Sequence, residues 1–62
     1  MKTFATEKGA KAAVRKEALH LMPHRFEKTT DGRVAVIFQW ELPENRDELL
    51  ERGFGAERLT SN

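Results

Sequence analysis

The strongest structural signal in this sequence lies at residues 25–40, which read RFEKTTDGRVAVIFQW. Two extended runs flank Thr30-Asp31-Gly32, and polar and apolar residues alternate in the first while the second is mostly apolar, which is the pattern of two strands joined by a turn. Aspartate followed by glycine suits a type I turn that a left-handed glycine closes in a G1 bulge. We therefore predict an antiparallel hairpin with strands at about 24–29 and 33–40.

The length of the connecting loop decides which side chains the hairpin buries. A two-residue Asp31-Gly32 turn pairs Phe26 with Ile37 and places charged residues on the main apolar face. A three-residue loop pairs Phe26 with Val36, because a shift of one residue exchanges the two faces of a strand. The large apolar residues then share one face and the polar residues the other: Phe26, Val34, Val36, Phe38 and Trp40 against Arg25, Glu27, Arg33 and Gln39. We predict the three-residue loop.

A helical pattern precedes the hairpin. Apolar residues at helical spacing predict a helix over about 7–20, with Thr6 as its N-cap. Pro23 then stops the helix from continuing, because the residue before a proline avoids helical geometry. The small alanines on the apolar stripe indicate that this helix needs packing against the hairpin to be stable.

A shorter helical pattern follows the hairpin. Asn45 with Glu48 three residues later forms a variant of the capping box, which predicts a helix over about 46–52. Gly53 is placed to end this helix in the left-handed conformation, and Phe54 then folds back on the last turn as in a Schellman motif.

These elements together predict a small α+β domain of order (β)αββα, in which the first helix covers the apolar face of the hairpin. The bracketed strand is residues 2–5, which carry Phe4 and give a possible third strand. A two-stranded hairpin alone is marginal in water, so such cover is required. We expect residues 1–62 to form a single domain, with a loose tail from about residue 59.

Length and composition limit what kind of protein this is. A chain of 62 residues is near the lower limit for independent folding, and it has no cysteine for a disulfide or a Cys-based zinc site. Natural domains of this size often depend on a partner chain. No apolar run approaches the roughly 20 residues that span a bilayer, and the N-terminus lacks the apolar core of a signal peptide. We expect a cytoplasmic protein without a membrane segment that associates with itself or with another protein.

The charges are balanced in number but separated along the chain. Eleven basic and ten acidic residues give a net charge of +1, which is not typical of a dedicated nucleic-acid binder. Residues 2–16 carry five basic residues against one acidic residue, and residues 41–51 carry the reverse. Such separation suits head-to-tail contact as readily as an outside ligand. Four basic residues on the first helix are candidates for phosphate contact, although solvated lysines explain them equally: Lys8, Lys11, Arg15 and Lys16.

Three apolar residues are candidates for a protein interface: Trp40, Phe54 and Ile37. A large aromatic residue near a strand end in so small a domain is often incompletely covered by its own chain. Ile37 lies on the outward face of the second strand, and a free strand edge can pair with another copy. The alternative is that the C-terminal helix covers both aromatic side chains.

The two histidines give no metal site by themselves. His20 and His24 are four residues apart, the spacing of zinc-binding histidines on a helix, but Pro23 lies between them and disrupts that helix. We therefore expect no metal and no other cofactor. His24 shares the apolar face beside Phe38, where a lone histidine is either a structural residue at the strand edge or a general base.

The stretch PHRFEKTTDGRVAVIF, with a helix before it and a short helix after it, resembles the HicA-type mRNA interferase toxins. In that family a histidine-containing strand leads through an Asp-Gly turn to a second strand, in a domain similar to those that bind double-stranded RNA. The resemblance implies a catalytic role for His24 and identifies Asp31-Gly32-Arg33 as the hairpin turn. It covers about 16 of 62 residues. Met22-Pro23 stands where the family usually has Gly-Ser, and the spacing from the aromatic residue to the turn differs by one residue.

Our prediction for function is a small non-enzymatic interaction module that binds another protein or a second copy of itself. By composition it is similar to compact accessory proteins of bacteria and their phages. The alternative is an RNA-directed module, which is either an RNA binder that uses the basic helix or a HicA-like nuclease that uses His24.

Overall fold

A computed structural model describes residues 1–59 of the chain. These residues form two helices and three strands: α1 Glu7–Lys16, β1 His24–Lys28, β2 Val34–Trp40, α2 Pro43–Glu51 and β3 Gly55–Arg58. The small α+β fold with its hairpin is confirmed, and β3 is an element that the sequence pattern did not predict. Neither α1 nor α2 has the length and apolar character needed to cross a membrane.

The three strands form one mixed sheet with β2 in the centre. β1 pairs with β2 in the antiparallel sense, and β3 pairs with the other side of β2 in the parallel sense. The antiparallel register places Phe26 opposite Val36 and His24 opposite Phe38. This register confirms the three-residue loop, which Gly32 closes with a φ of +82°.

The N-terminal segment completes the sheet beside the start of β2. Phe4 and Val34 exchange two backbone hydrogen bonds, with N···O distances of 2.7 and 2.8 Å. Because β3 pairs only with residues from Ile37 onward, the segment fills the position that β3 leaves open. Residues 2–5 thus contribute a single bridge to the sheet and not a full strand.

Both helices pack on one face of the sheet and enclose the core. The buried cluster consists of Ala10 and Val14 from α1, Leu49 from α2, Val36 and Phe38 from β2, and Phe54 from the turn after α2. The even-numbered side chains of β2 therefore face inward, as the alternation predicts. Phe38 is fully buried at the centre of this cluster.

The first helix ends earlier than predicted because Ala18 adopts the left-handed conformation, with a φ of +58°. The amide of Leu19 donates to the carbonyl of Val14 and the amide of Ala18 donates to that of Arg15, each at 3.0 Å. This bond pair is a Schellman motif with an alanine in the position that usually holds glycine. The predicted range of 7–20 was therefore too long at its C-terminal end.

The second helix begins earlier than predicted. Pro43 is its first residue, and Leu42 is the N-cap without a side-chain hydrogen bond. Proline suits the first helical position because the amide it lacks would have no intrahelical partner there. Asn45 lies in the first turn, so the capping box predicted for it was wrong.

The end of the second helix confirms the prediction. Gly53 has a φ of +93°, and the amide of Phe54 donates to the carbonyl of Leu49 at 3.1 Å. These contacts form the predicted Schellman motif, and they place the ring of Phe54 on Phe38 with the centroids 5.1 Å apart.

Beyond β3, the amide of Leu59 donates to the carbonyl of Trp40 at 2.8 Å, so residue 59 belongs to the sheet and not to a loose tail. The rest of that predicted tail, residues 60–62, lies outside the described residues.

Candidate binding groove

The face of the sheet opposite the helices is occupied by charged side chains that bind one another. Arg25 on β1 donates to both carboxylate oxygens of Glu57 on β3, each at 3.1 Å, and to Glu27 at 2.8 Å. The hydrogen bonds that Arg25 donates hold the pKa of Glu57 below its ordinary value, and acceptance of these bonds by Glu57 and Glu27 raises the pKa of Arg25. Arg25 therefore reaches across the central strand and is committed to partners within the chain.

On the helix side, a groove of about 240 Å³ runs between α1 and β1. The side chains that line it come from α1, from the loop that follows it and from β1: Lys11, Val14, Arg15, His20, His24 and Phe26. Lys11 and Arg15 are four residues apart on α1, which places them on one side of the helix. His24 and Phe26 are two residues apart on β1, so both side chains lie on its inner face. Residues of two separate predictions, the basic helix and His24, thus line the same groove.

The groove is ordered by contacts with aromatic rings. The ammonium of Lys11 lies 5.9 Å from the centroid of the Phe26 ring, a cation–π contact that reaches from α1 to β1. The ring of His24 packs against Phe26 and Phe38, with centroid distances of 5.4 and 5.2 Å. The rings of His24 and Phe26 therefore form one side of the groove, and the ammonium of Lys11 on α1 contacts the Phe26 ring.

His24 is also held by the backbone. Its Nδ1 lies 2.6 Å from the carbonyl oxygen of Met22. A carbonyl only accepts hydrogen bonds, so Nδ1 carries a proton and donates it, which leaves Nε2 of the neutral ring as an acceptor. The imidazole therefore has a defined orientation, which the sequence alone did not supply.

The outer edge of β1 is open among residues 1–59, where β2 is its only partner strand. In an antiparallel pair, alternate residues direct their N–H and C=O groups toward the partner. The amide of Gln39 donates to the carbonyl of Pro23, and the amide of Thr29 donates to the carbonyl of Arg33. The odd-numbered residues of β1 therefore face β2, and His24, Phe26 and Lys28 direct their backbone groups outward, beside the groove.

Ion pairing divides the basic residues into two groups. The described ion pairs involve Arg25 on the outer sheet face and Arg46 and Arg52 near α2. None of them involves the four exposed basic residues of α1, which are Lys8, Lys11, Arg15 and Lys16. Half of the basic residues that form no ion pair within residues 1–59 thus lie on the helix that forms one wall of the groove, and the others are Lys2, Lys28, Arg33 and Arg58.

The three apolar residues predicted for an interface have different surroundings. Phe54 is only 3% exposed and belongs to the core, so its prediction as an interface residue is wrong. The C-terminal helix reverses the chain at Gly53 and directs the ring inward. Ile37 is half-buried on the outer sheet face, where Met1 and Ile37 both lie against Gly55. It offers little apolar surface to a partner.

Trp40 is half-buried at the end of the sheet far from the hairpin turn. It lines a cleft of about 190 Å³ together with Met22, Pro23, Leu42 and Leu59. The guanidinium of Arg46 lies 5.4 Å from the centroid of the Trp40 ring and covers part of it. Leu42 beside it is 53% exposed. Gln39, Glu41 and Asn45 also line the cleft, so it combines apolar surface with one carboxylate and two amides.

Within residues 1–59, no group of three or more histidine and carboxylate side chains is arranged to hold a metal ion. His20 and His24 line the same groove, but no carboxylate joins them there. The pair alone therefore makes no metal centre.

Sequence reasoning missed Glu57, whose carboxylate fixes Arg25. The segment GAER carries no alternating apolar pattern, so nothing in it indicated a strand or a partner for Arg25. The open edge of β1 was also missed, because it depends on which side of β2 the third strand occupies.

No protein-family model matches the chain, and neither the curated proteins nor the solved structures give a significant match. The resemblance to HicA-type toxins therefore stays a prediction based on the residues that carry it.

Proposed function

We propose that this chain is a non-enzymatic interaction module that binds an acidic segment of a protein partner in the groove between α1 and β1. One observation carries the proposal: Lys11 and Arg15, which form no ion pair within residues 1–59, line the groove beside the open edge of β1. Positive charge attracts a carboxylate-rich partner. The open edge offers backbone groups that a peptide chain satisfies.

The same charges restrict how two copies of the chain associate. Pairing of β1 with β1 across a two-fold axis brings the basic faces of two α1 helices together, and like charges that close repel. Head-to-tail contact avoids this repulsion, because Glu44 and Glu51 on α2 are exposed and form no ion pair within residues 1–59. If the chain self-associates, we expect the α2 side of one copy to meet the α1 side of the next.

Charge reversal in the groove and at a site outside it tests the proposal. We expect Lys11→Glu with Arg15→Glu to weaken binding of poly-glutamate at least about tenfold, since each charge close to a carboxylate contributes on the order of 1 kcal/mol. The matched control is Arg46→Glu on α2 with Arg58→Glu on β3, which makes the same charge change outside the groove. Fluorescence anisotropy at low and moderate salt measures the affinity, and circular dichroism verifies that both variants are folded.

Equal losses in the two variants would mean that poly-glutamate responds only to net charge, and the groove would not be its site. Light scattering on the parent chain separates the two kinds of protein partner. A mass that rises with concentration above 7.1 kDa indicates self-association, and weakening of that association by Lys11→Glu with Arg15→Glu places it in the groove.

The orientation of His24 favours a second candidate, an RNA-directed module. Its Nδ1 is held by Met22 at 2.6 Å, so Nε2 is the free nitrogen, and Lys11 and Arg15 line the same groove as possible phosphate contacts. This candidate predicts RNA binding that weakens steeply as salt rises. Cleavage of a model RNA by the parent, lost in His24→Ala with the fold retained, supports a nuclease, whereas an inactive parent ends that idea.

A further inference from the structure

We infer that the acidic partner binds by adding a strand to the outer edge of β1, with its carboxylates at every second position. This inference rests on the proposed function and specifies its binding mode. It follows from the backbone groups of β1, from the different charges on the two faces beside that edge, and from the reach of α1 toward it.

The backbone of β1 sets the length of the segment that binds. Its outward N–H and C=O groups belong to His24, Phe26 and Lys28, alternate residues of a strand of five. At about 3.3 Å per residue such a strand is roughly 17 Å long, which matches an added strand of about five residues. Main-chain hydrogen bonds of this kind provide affinity that is independent of the partner's side chains.

The two faces of the sheet set the partner's pattern. On the helix side the added strand meets Lys11 and Arg15, and the contact between Lys11 and Phe26 shows that α1 reaches β1 there. On the opposite side it meets Arg25 and Glu27, whose charges are already engaged with each other and with Glu57. Successive side chains of a strand point to opposite faces. Carboxylates are therefore favoured at alternate positions, with uncharged residues between them.

Two synthetic peptides of equal composition test the pattern. Each has about eight residues, half glutamate and half threonine, arranged alternately in one peptide and in two blocks in the other. We expect the alternating peptide to bind the parent chain at least about tenfold more tightly, because only it directs all its carboxylates to the α1 side. Equal affinity for the two peptides would overturn the inference and leave the proposed function intact.

Backbone N-methylation tests the added strand directly, and a chain of 62 residues is short enough for chemical synthesis. A methyl group on the amide of Phe26 removes an outward donor without touching the bonds to β2. The matched control is the amide of Ala56, which points outward at the opposite edge of the sheet, since Leu59 and the alternate residues before it face β2. We expect methylation at Phe26 to weaken binding of the alternating peptide about tenfold or more, and methylation at Ala56 to leave it unchanged.

Methylation at Lys28 serves the same purpose if the Phe26 analogue does not fold, because its amide also points outward. An unchanged affinity in the folded methylated chain would overturn the added strand, even if charge reversal on α1 abolishes binding. A larger loss for Ala56 would also overturn it and assign the partner to β3. If neither peptide binds the parent chain, the proposed function fails together with the inference.

Discussion

The two helices lie on the same face of the sheet but use their surfaces differently. α1 buries Ala10 and Val14 and leaves its basic side chains without carboxylate partners within residues 1–59. α2 buries Leu49 alone, and Arg52 at its end is bound to Glu17 and Glu48 at 2.9 and 2.8 Å. The ion pairs of Arg52 thus link the end of α2 to the end of α1, whereas the basic side chains of α1 are the ones that we propose bind a partner.

The C-terminal ends of the two helices differ in the residue that adopts the left-handed conformation. Both close with a Schellman motif, but α1 places Ala18 in the left-handed conformation, whereas α2 places Gly53 there. An L-residue with a side chain loses roughly 1–2 kcal/mol in that conformation relative to right-handed geometry. The end of α1 therefore carries backbone strain that the end of α2 avoids.

We expect the largest effect from truncating the buried side chains with which the two helices contact the core. We expect Leu49→Ala to lower the free energy of unfolding by about 2–5 kcal/mol, because it removes the one buried side chain of α2 and leaves a cavity. Val14→Ala removes fewer methyl groups while Ala10 remains buried, so its loss is expected to be smaller. Denaturation in urea, followed by circular dichroism, measures both, and a larger loss for Val14→Ala would reverse the comparison.

Exchanging the residues at the helix ends gives the next effect. We expect Ala18→Gly to raise the free energy of unfolding by about 1 kcal/mol, because glycine relieves the left-handed strain. Gly53→Ala is expected to lower it by about 1–2 kcal/mol, since its new Cβ also lies 3.0 Å from Cγ of Lys2. Urea denaturation of both variants checks the opposite signs. A loss of stability in Ala18→Gly would show that the turn after α1 is not strained.

Acid sensitivity gives the smallest effect, because the groups involved are exposed. The hydrogen bonds from Arg25 hold the pKa of Glu57 below its ordinary value of 4.5. A depressed pKa in the folded state stabilises the fold above that ordinary value, and this stabilisation is lost as the pH falls through the folded-state pKa. We expect stability to decrease below about pH 4.5 and Glu57→Gln to reduce this dependence. Glu44→Gln on α2 is the control, and thermal unfolding across the acid range is the measurement. A pH dependence that both variants leave unchanged would place the acid sensitivity elsewhere.

The hairpin was predictable because its register is specified locally. A shift of one residue moves Val36 and Phe38 from the core to the solvent, so the alternation leaves one acceptable pairing. The end of α2 was predictable for a related reason, since Gly53 is a residue type that marks left-handed geometry. In both places the sequence carries the information within a few residues of the structure that it determines.

The rest of the fold depends on contacts between distant segments. Ala18 is a good helix former, and only packing of the loop after it explains why the helix ends there. β3 is only four residues long, and helix α2 connects it to the parallel strand β2. Its own sequence therefore has no alternating pattern that predicts a strand. The groove follows the same rule. Lys11, Arg15 and His24 were each identified in the sequence, but their meeting beside an open edge required the topology of the sheet.

Hydrogen exchange at the two edges of the sheet tests the central claim most directly. The measurement records exchange of the amide protons of His24, Phe26 and Lys28 on β1, and of Ala56 and Arg58 on β3, with and without the alternating acidic peptide. We predict that the peptide slows exchange at the three β1 amides and leaves the β3 amides unchanged, because only the former gain hydrogen-bond partners. Saturation with peptide without any slowing at His24, Phe26 and Lys28 would contradict strand addition at β1.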